Sequence, residues 1–193
     1  IEEDCLFLDD YDVTDLKLKD LRSFIALVPQ EGYLFTETLT ENIRYGNPEA
    51  SMGKVEESAK EARMSDDIKG FPDGFKTLVG ERGITLSGGQ RQRTALSRAL
   101  LVDSKIIVLD DALASVDNKT ASAILQTIKK QFNKTVLMIS HQLSAAAACD
   151  RILVMNDGKI VQEGIHQNLI NKNGLYKSMW EREKAKEKIQ SED

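Results

Sequence analysis

Short, uniformly apolar runs alternate along the chain with stretches whose apolar residues recur every three or four positions. The runs Leu6-Phe7-Leu8, Phe24 to Val28, Ile106 to Leu109, Thr135 to Ile139, Arg151 to Met155 and Lys159 to Gln162 are predicted strands. Asp9-Asp10 ends the first and Pro29 the second, while Asn156-Asp157-Gly158 signals a tight turn between the last two. The middle strands are apolar throughout rather than alternating, which predicts cover on both faces. Helical spacing appears at Val55, Ala59 and Ala62, and at Ala95, Leu96, Ala99 and Leu100. It appears again at Ile124, Ile128 and Phe132, after a helix start near Asp117. Strands alternating with helices predict an α/β fold with a mostly parallel sheet flanked by helices. The stretch from about 47 to 97 carries no strand signal and reads as a helical lobe. Residues from Glu181 to Asp193 are almost all polar, a solvated helix or tail.

Composition narrows the function classes. Charged residues make up 30% of the 193 and hydrophobic ones 41%, an ordinary globular balance that argues against disorder. The formal net charge of −5 offers no bulk attraction to phosphate backbones, so no nucleic-acid partner is expected. No apolar run approaches the roughly 18 residues of a membrane span, and Glu2, Glu3 and Asp4 do not resemble a signal peptide. Cys5 and Cys149 have no partner spacing and read as free thiols of a reducing compartment.

Three predicted strands end alike. Phe24–Val28 leads into Pro29-Gln30, Ile106–Leu109 into Asp110-Asp111, and Thr135–Ile139 into Ser140-His141. In a parallel sheet these ends share one edge, where open α/β sheets bind ligands. Asp110 could hold a divalent cation, Asp111 could orient a water, and His141 could contact a phosphoryl oxygen. The octet from Leu86 to Arg93, Leu-Ser-Gly-Gly-Gln-Arg-Gln-Arg, precedes an apolar-striped helix. Its two glycines allow close backbone approach to an anion, the helix start presents N–H groups, and Ser87 adds a hydroxyl.

The octet resembles the signature motif of ATP-binding cassette (ABC) proteins. Gln30 resembles that family's Q-loop, Ile106–Asp110 its Walker B strand, Ala114-Ser115-Val116-Asp117 its D-loop and His141 its H-loop, all in the family's order. The stretch from Tyr33 to Gly46, the X-loop-like Val79-Gly80-Glu81-Arg82-Gly83, and Gly158-Lys159-Ile160 with Glu163-Gly164 and His166 resemble exporters in particular. The resemblance runs to about Trp180. It implies a P-loop NTPase-like (ABC ATPase) domain with a helical subdomain, ATP and Mg²⁺ as cofactors, and an ATPase motor that dimerises around nucleotide to drive export. It further implies Gln30, Asp111 and His141 as catalytic, Asp110 and Gln30 as metal-binding, and Ser87, Gly88, Gly89, Gln90 and Asp117 as nucleotide-binding. The implied partners are a second nucleotide-binding domain and transmembrane domains, met through the Glu81 and Gln30 regions at the cytoplasmic face of the cell membrane.

Two departures from the family pattern carry expectations of their own. No glycine-rich Walker A loop, GxxGxGK followed by Ser or Thr, occurs in the 193 residues. The chain therefore reads as a partial ABC ATPase domain, with a lobe over about 47–97 and a polar tail over about 182–193. Alone it is expected to be inactive, with strand edges unpaired by the loss of a central strand. Asp111 stands where the family carries a glutamate, one methylene longer. That points to one half of a heterodimeric exporter whose own site is degenerate and whose signature completes the partner's site. The alternative is a non-catalytic, truncated subunit that only supplies the signature face.

Overall fold

A computed structural model describes residues 1–80, 85–131 and 134–190. Glu81 to Gly83 of the X-loop-like segment, Phe132 of the third helical stripe and the last residues of the tail lie outside the described residues. A small ribbon opens the chain, β1 (Phe7–Leu8) antiparallel to β2 (Tyr11–Asp12). Helix α1 (Leu18–Phe24) runs directly into β3 (Ile25–Val28), so Phe24 closes a helix rather than opening the strand.

The region without strand signal folds as helices. They are α2 (Leu39–Arg44), α3 (Met52–Glu61), α4 (Ser65–Gly70), a 3-10 turn over Gly74–Lys76, and α5 (Gly88–Leu100). Then come β4 (Ile106–Asp110), α6 (Asn118–Gln131), β5 (Thr135–Ile139) and α7 (Leu143–Ala146). The chain closes with β6 (Ile152–Asn156), β7 (Lys159–Gly164), α8 (His166–Asn171) and α9 (Leu175–Gln190). The β6–β7 turn uses Asp157 and Gly158 at φ 49° and 74°, the doubly positive geometry of a two-residue hairpin loop. None of the described helices is long and apolar enough to cross a membrane.

Strands β3, β4 and β5 form a parallel sheet in that order, and β6–β7 is a separate antiparallel pair. The register sorts the side chains into two faces, because successive strand residues point to opposite sides. Ala26, Val28, Ile107 and Leu109 lie on one face, buried in a single cluster with Ala95 and Leu96 of α5 and Ile124 and Ile128 of α6. Val136 and Met138 pack against the same cluster. The other face carries Leu27, Leu137 and Ile139, which are 59%, 54% and 50% exposed. The expectation of cover on both faces is therefore corrected: among the described residues, α5 and α6 share their cluster with one side of the sheet and leave the other open.

A smaller second core gathers Leu143, Ile152, Val154, Leu169 and Tyr176, tying α7, the hairpin, α8 and α9 together. Leucine and isoleucine side chains on an open sheet face are an association surface. The isolated 193-residue chain is expected to aggregate on warming, read by light scattering alongside far-UV circular dichroism. A reversible, cooperative melt without scattering would show that the bare face is tolerated.

Candidate functional site

The parallel register brings three strand ends to one edge. Val28 is opposite Leu109 and Asp110 is opposite Ile139, so Gln30, Asp110-Asp111 and His141 all emerge there. Neighbouring strands stand about 4.8 Å apart, so the outer strand ends, at Val28 and Ile139, are separated by about two such spacings. Gln30 and His141 are exposed, while Asp110 and Asp111 are half-buried. Asp111 sits at φ 46°, a left-handed conformation that aspartate visits more readily than most side chains. Its backbone is pinned on both sides: Asp111 N–H donates to the Ile139 carbonyl at 2.9 Å, and Ala114 N–H donates to the Asp111 carbonyl at 3.1 Å.

The Leu86–Arg93 octet becomes the start of α5. Ser87 is the N-cap, with its hydroxyl accepting from Gln90 N–H at 3.2 Å and its own N–H donating to Gln90 Oε1 at 2.9 Å. This reciprocal capping box is what a Ser-x-x-Gln pattern before an apolar-striped helix encodes. Among the described residues, the N–H groups of Gly88 and Gly89 find no acceptor, as the first turn of a helix leaves them. The two glycines also admit the Ala114–Asp117 segment. A Cβ on Gly89 would stand 2.9 Å from the Ser115 carbonyl oxygen, and one on Gly88 would stand 3.2 Å from Ser115 Cβ. Gln92 fixes that approach by accepting from Ser115 N–H at 2.8 Å.

Of the strand-edge residues, Gln30 shares a cleft with the start of α5, while Asp110, Asp111 and His141 are not part of its lining. A cavity of about 540 Å³ is lined by Gln30, Glu31, Gly32, Tyr33, Gly88, Arg91, Gln92 and Ser115. Gln142, next to His141, reaches back with Nε2 at 3.4 Å from the carbonyls of both Leu113 and Val116. Of the sequence candidates, Asp117 has a local task. Its Oδ1 accepts from Thr120 N–H at 2.9 Å, capping α6, and that bond lowers its carboxyl below the ordinary aspartate range. Gln92 lies within the octet, yet its role depends on a residue 23 positions away and has no local signal. Asp67 carries no signal beyond a polar helical stretch.

The arginines make contacts inside the lobe. Arg91 donates to the Leu86 carbonyl at 2.8 Å, and Arg93 pairs with Asp67 at 2.6 Å. Arg98 donates through Nε to the Asn42 carbonyl and through Nη1 to the Tyr33 carbonyl, both at 2.9 Å. Its guanidinium carbon also lies 5.6 Å and 5.3 Å from the ring centres of Phe35 and Tyr45. Burial lowers the Arg98 pKa from its ordinary value. These same rings, with Glu37, Glu41, Arg44 and Pro48, line a second groove of about 440 Å³.

The chain resembles known proteins along nearly its whole length. A sequence model described as ABC transporter matches residues 2–114. The mitochondrial ABC transporter B family member 24 of Arabidopsis thaliana is 42% identical over 93% of this chain and 26% of its own length. Human ATP-binding cassette sub-family B member 6 is 40% identical over 100% of this chain and 23% of its own. A solved structure of a bacterial Atm1-family ABC exporter with ATP bound superposes with a TM-score of 0.88 at 38% identity, covering 92% of this chain and 31% of that one. The 193 residues thus span about a quarter to a third of these relatives. With the motif order, the strand-edge geometry and these likenesses in agreement, the chain belongs to the ABC transporter family and has the fold of its nucleotide-binding domain.

Proposed function

We propose that this chain is the ATP-binding and ATP-hydrolysing motor portion of an ABC exporter, at the cytoplasmic face of the cell membrane. The observation that carries the reading is the single edge to which the strands bring Gln30, Asp110, Asp111 and His141, with Gln30 lining a cleft together with Gly88 at the start of α5. The residues suit ATP and Mg²⁺. The free N–H groups of Gly88 and Gly89 and the Ser87 hydroxyl are donors for phosphate oxygens. Mg²⁺ takes one or two carboxylates and fills its remaining positions with phosphate oxygens and water, a demand that Asp110 with Gln30 meets. Bound Mg²⁺-ATP would supply the phosphoryl group that water attacks.

Around that group each residue has one task. Asp111 Oδ accepts a hydrogen bond from the attacking water and orients it, with Gln30 beside it. His141 contacts a phosphoryl oxygen. Ser87, Gly88, Gly89 and Gln90, with Asp117, face a triphosphate seated on a second nucleotide-binding domain. ATP binding draws the two domains together and hydrolysis releases them. The Walker A loop belongs to a segment outside the 193 residues, which makes this stretch a partial ABC ATPase domain, inactive alone. Its helical lobe covers about 47–97 and its polar tail about 182–193. Cover for Leu27, Leu137 and Ile139 by such a segment accords with their exposure.

The transmembrane domains are met through the Gln30 and Glu81 regions, and the Phe35–Tyr45 groove, close to Gln30 in sequence, supports a seat there. Asp111 in place of glutamate supports a non-identical partner domain and a degenerate site of this chain's own. The same substitution favours the second reading, a subunit that only supplies the signature face to its partner. The complete transporter decides. With catalysis at the partner's site blocked, His141→Ala is expected to cut the remaining ATP turnover about a hundredfold, on the scale of losing a placed catalytic group. Unchanged turnover would overturn the catalytic reading of the edge and favour the second one.

A further inference from the structure

Asp66 and Asp67 are neighbours in the first turn of α4 and have opposite surroundings. Asp66 faces solvent and pairs with Lys69, the two side chains being 97% and 77% exposed. Asp67 faces α5, and in its pair with Arg93 the side chains are only 21% and 13% exposed. Its two oxygens are divided between two residues of α5. Oδ1 accepts from Gln90 Nε2 at 2.9 Å, and Oδ2 accepts from Arg93 Nη2 at 2.6 Å.

The bond to Gln90 settles which way its amide points. A carboxylate can only accept, so it selects the Nε2 end of the amide. That leaves Oε1 on the opposite side, where it accepts from Ser87 N–H. A flipped amide would set an NH₂ group against Ser87 N–H and an oxygen against the carboxylate, two repulsive pairs in place of two bonds. The capping box, and with it the Ser87 hydroxyl, therefore depends on a residue 20 positions upstream on a different helix. We propose that Asp67 is the positioning residue of the signature cap: it locks the Gln90 amide so that Ser87 and the Gly88-Gly89 N–H groups are held ready for a phosphate. This rests on the reading above that Ser87 to Gln90 face a triphosphate.

The test uses the complete transporter with kcat, KM for ATP and Tm measured together. Asp67→Asn keeps size but loses the accept-only character. It is expected to lower kcat about tenfold while KM stays within about twofold, because a loosened cap costs most in the closed, reacting state. Asp66→Ala should change neither. The decisive comparison is the double variant Asp67→Asn with Gln90→Ala, which should be no slower than Gln90→Ala alone. Asp67→Glu keeps both acceptors on a longer arm. It should lose about threefold, again absorbed by Gln90→Ala, and serves the same cycle if Asp67→Asn does not accumulate.

Multiplying defects in the double variant would overturn the proposal, as would a kcat loss with Asp67→Asn that Gln90→Ala does not absorb. If Ser87→Ala and Gln90→Ala slow turnover but Asp67→Asn does not, the cap reading stands and the role of Asp67 falls. If Ser87→Ala and Gln90→Ala leave turnover intact, both fall.

Discussion

Gly89→Val is expected to reduce ATP turnover of the complete transporter about a hundredfold or more while leaving the protein folded. Even a bare Cβ at Gly89 would lie 2.9 Å from the Ser115 carbonyl oxygen and 3.4 Å from Arg93 Nη1. Valine adds two further methyl groups in the same place. Ser115 cannot retreat without breaking its 2.8 Å bond to Gln92, which sits on the same helix as Gly89. Nor can the first turn of α5 retreat without disturbing Ser87, Gln90 and the Asp67 contacts. The wedge therefore opens the seam between the cap and the Ala114–Asp117 segment, and a displacement of about 1 Å at such a site costs on the order of a hundredfold in rate. Gly53→Ala is the matching control, since nothing lies within 4 Å of a Cβ there. Turnover above about a tenth of the unmodified level with Gly89→Val would mean that the seam does not govern phosphate engagement.

Asp111→Glu is expected to act in the opposite direction, raising about tenfold the turnover of this chain's own site, read with catalysis at the partner's site blocked. The shorter aspartate holds its carboxylate roughly 1.5 Å back from where a glutamate would place it, the scale on which misplacement is costly. The backbone cannot advance to make up that distance, because Asp111 N–H is held by the Ile139 carbonyl and the Asp111 carbonyl by Ala114 N–H. The gain has a cost. Glutamate is less at ease than aspartate at φ 46°, so a small loss of Tm should accompany the faster turnover. Turnover that stays level, or full function from two identical copies, would remove the case for an asymmetric pair.

The local geometry of the candidate site was legible where it is built from local patterns. The helix start at the Gly88-Gly89 pair, the Asn-Asp-Gly turn and the ends of the strands before Gln30, Asp110 and His141 each carry their signal within a few residues. What the sequence hid depends on distant partners. A uniformly apolar strand reports that cover is needed, not whether it is at hand, so the open face at Leu27, Leu137 and Ile139 could not be foreseen. The same holds for Asp67, which is indistinguishable in sequence from solvent-facing Asp66 until α4 packs on α5. The apolar character of Phe24 predicts a strand residue, yet α1 carries no buried residue and runs on to include it before β3 begins.

Arg98 gives the helical lobe its mechanical character. One guanidinium grips the carbonyls of Tyr33 and Asn42 and lies against the rings of Phe35 and Tyr45, while its Cα belongs to the helix that begins at the signature glycines. The aromatic groove and the Gly88-Gly89 tip are thereby joined through one helix. A displacement of the Phe35 and Tyr45 rings would therefore reach the Gly88-Gly89 tip along α5 without crossing a loop.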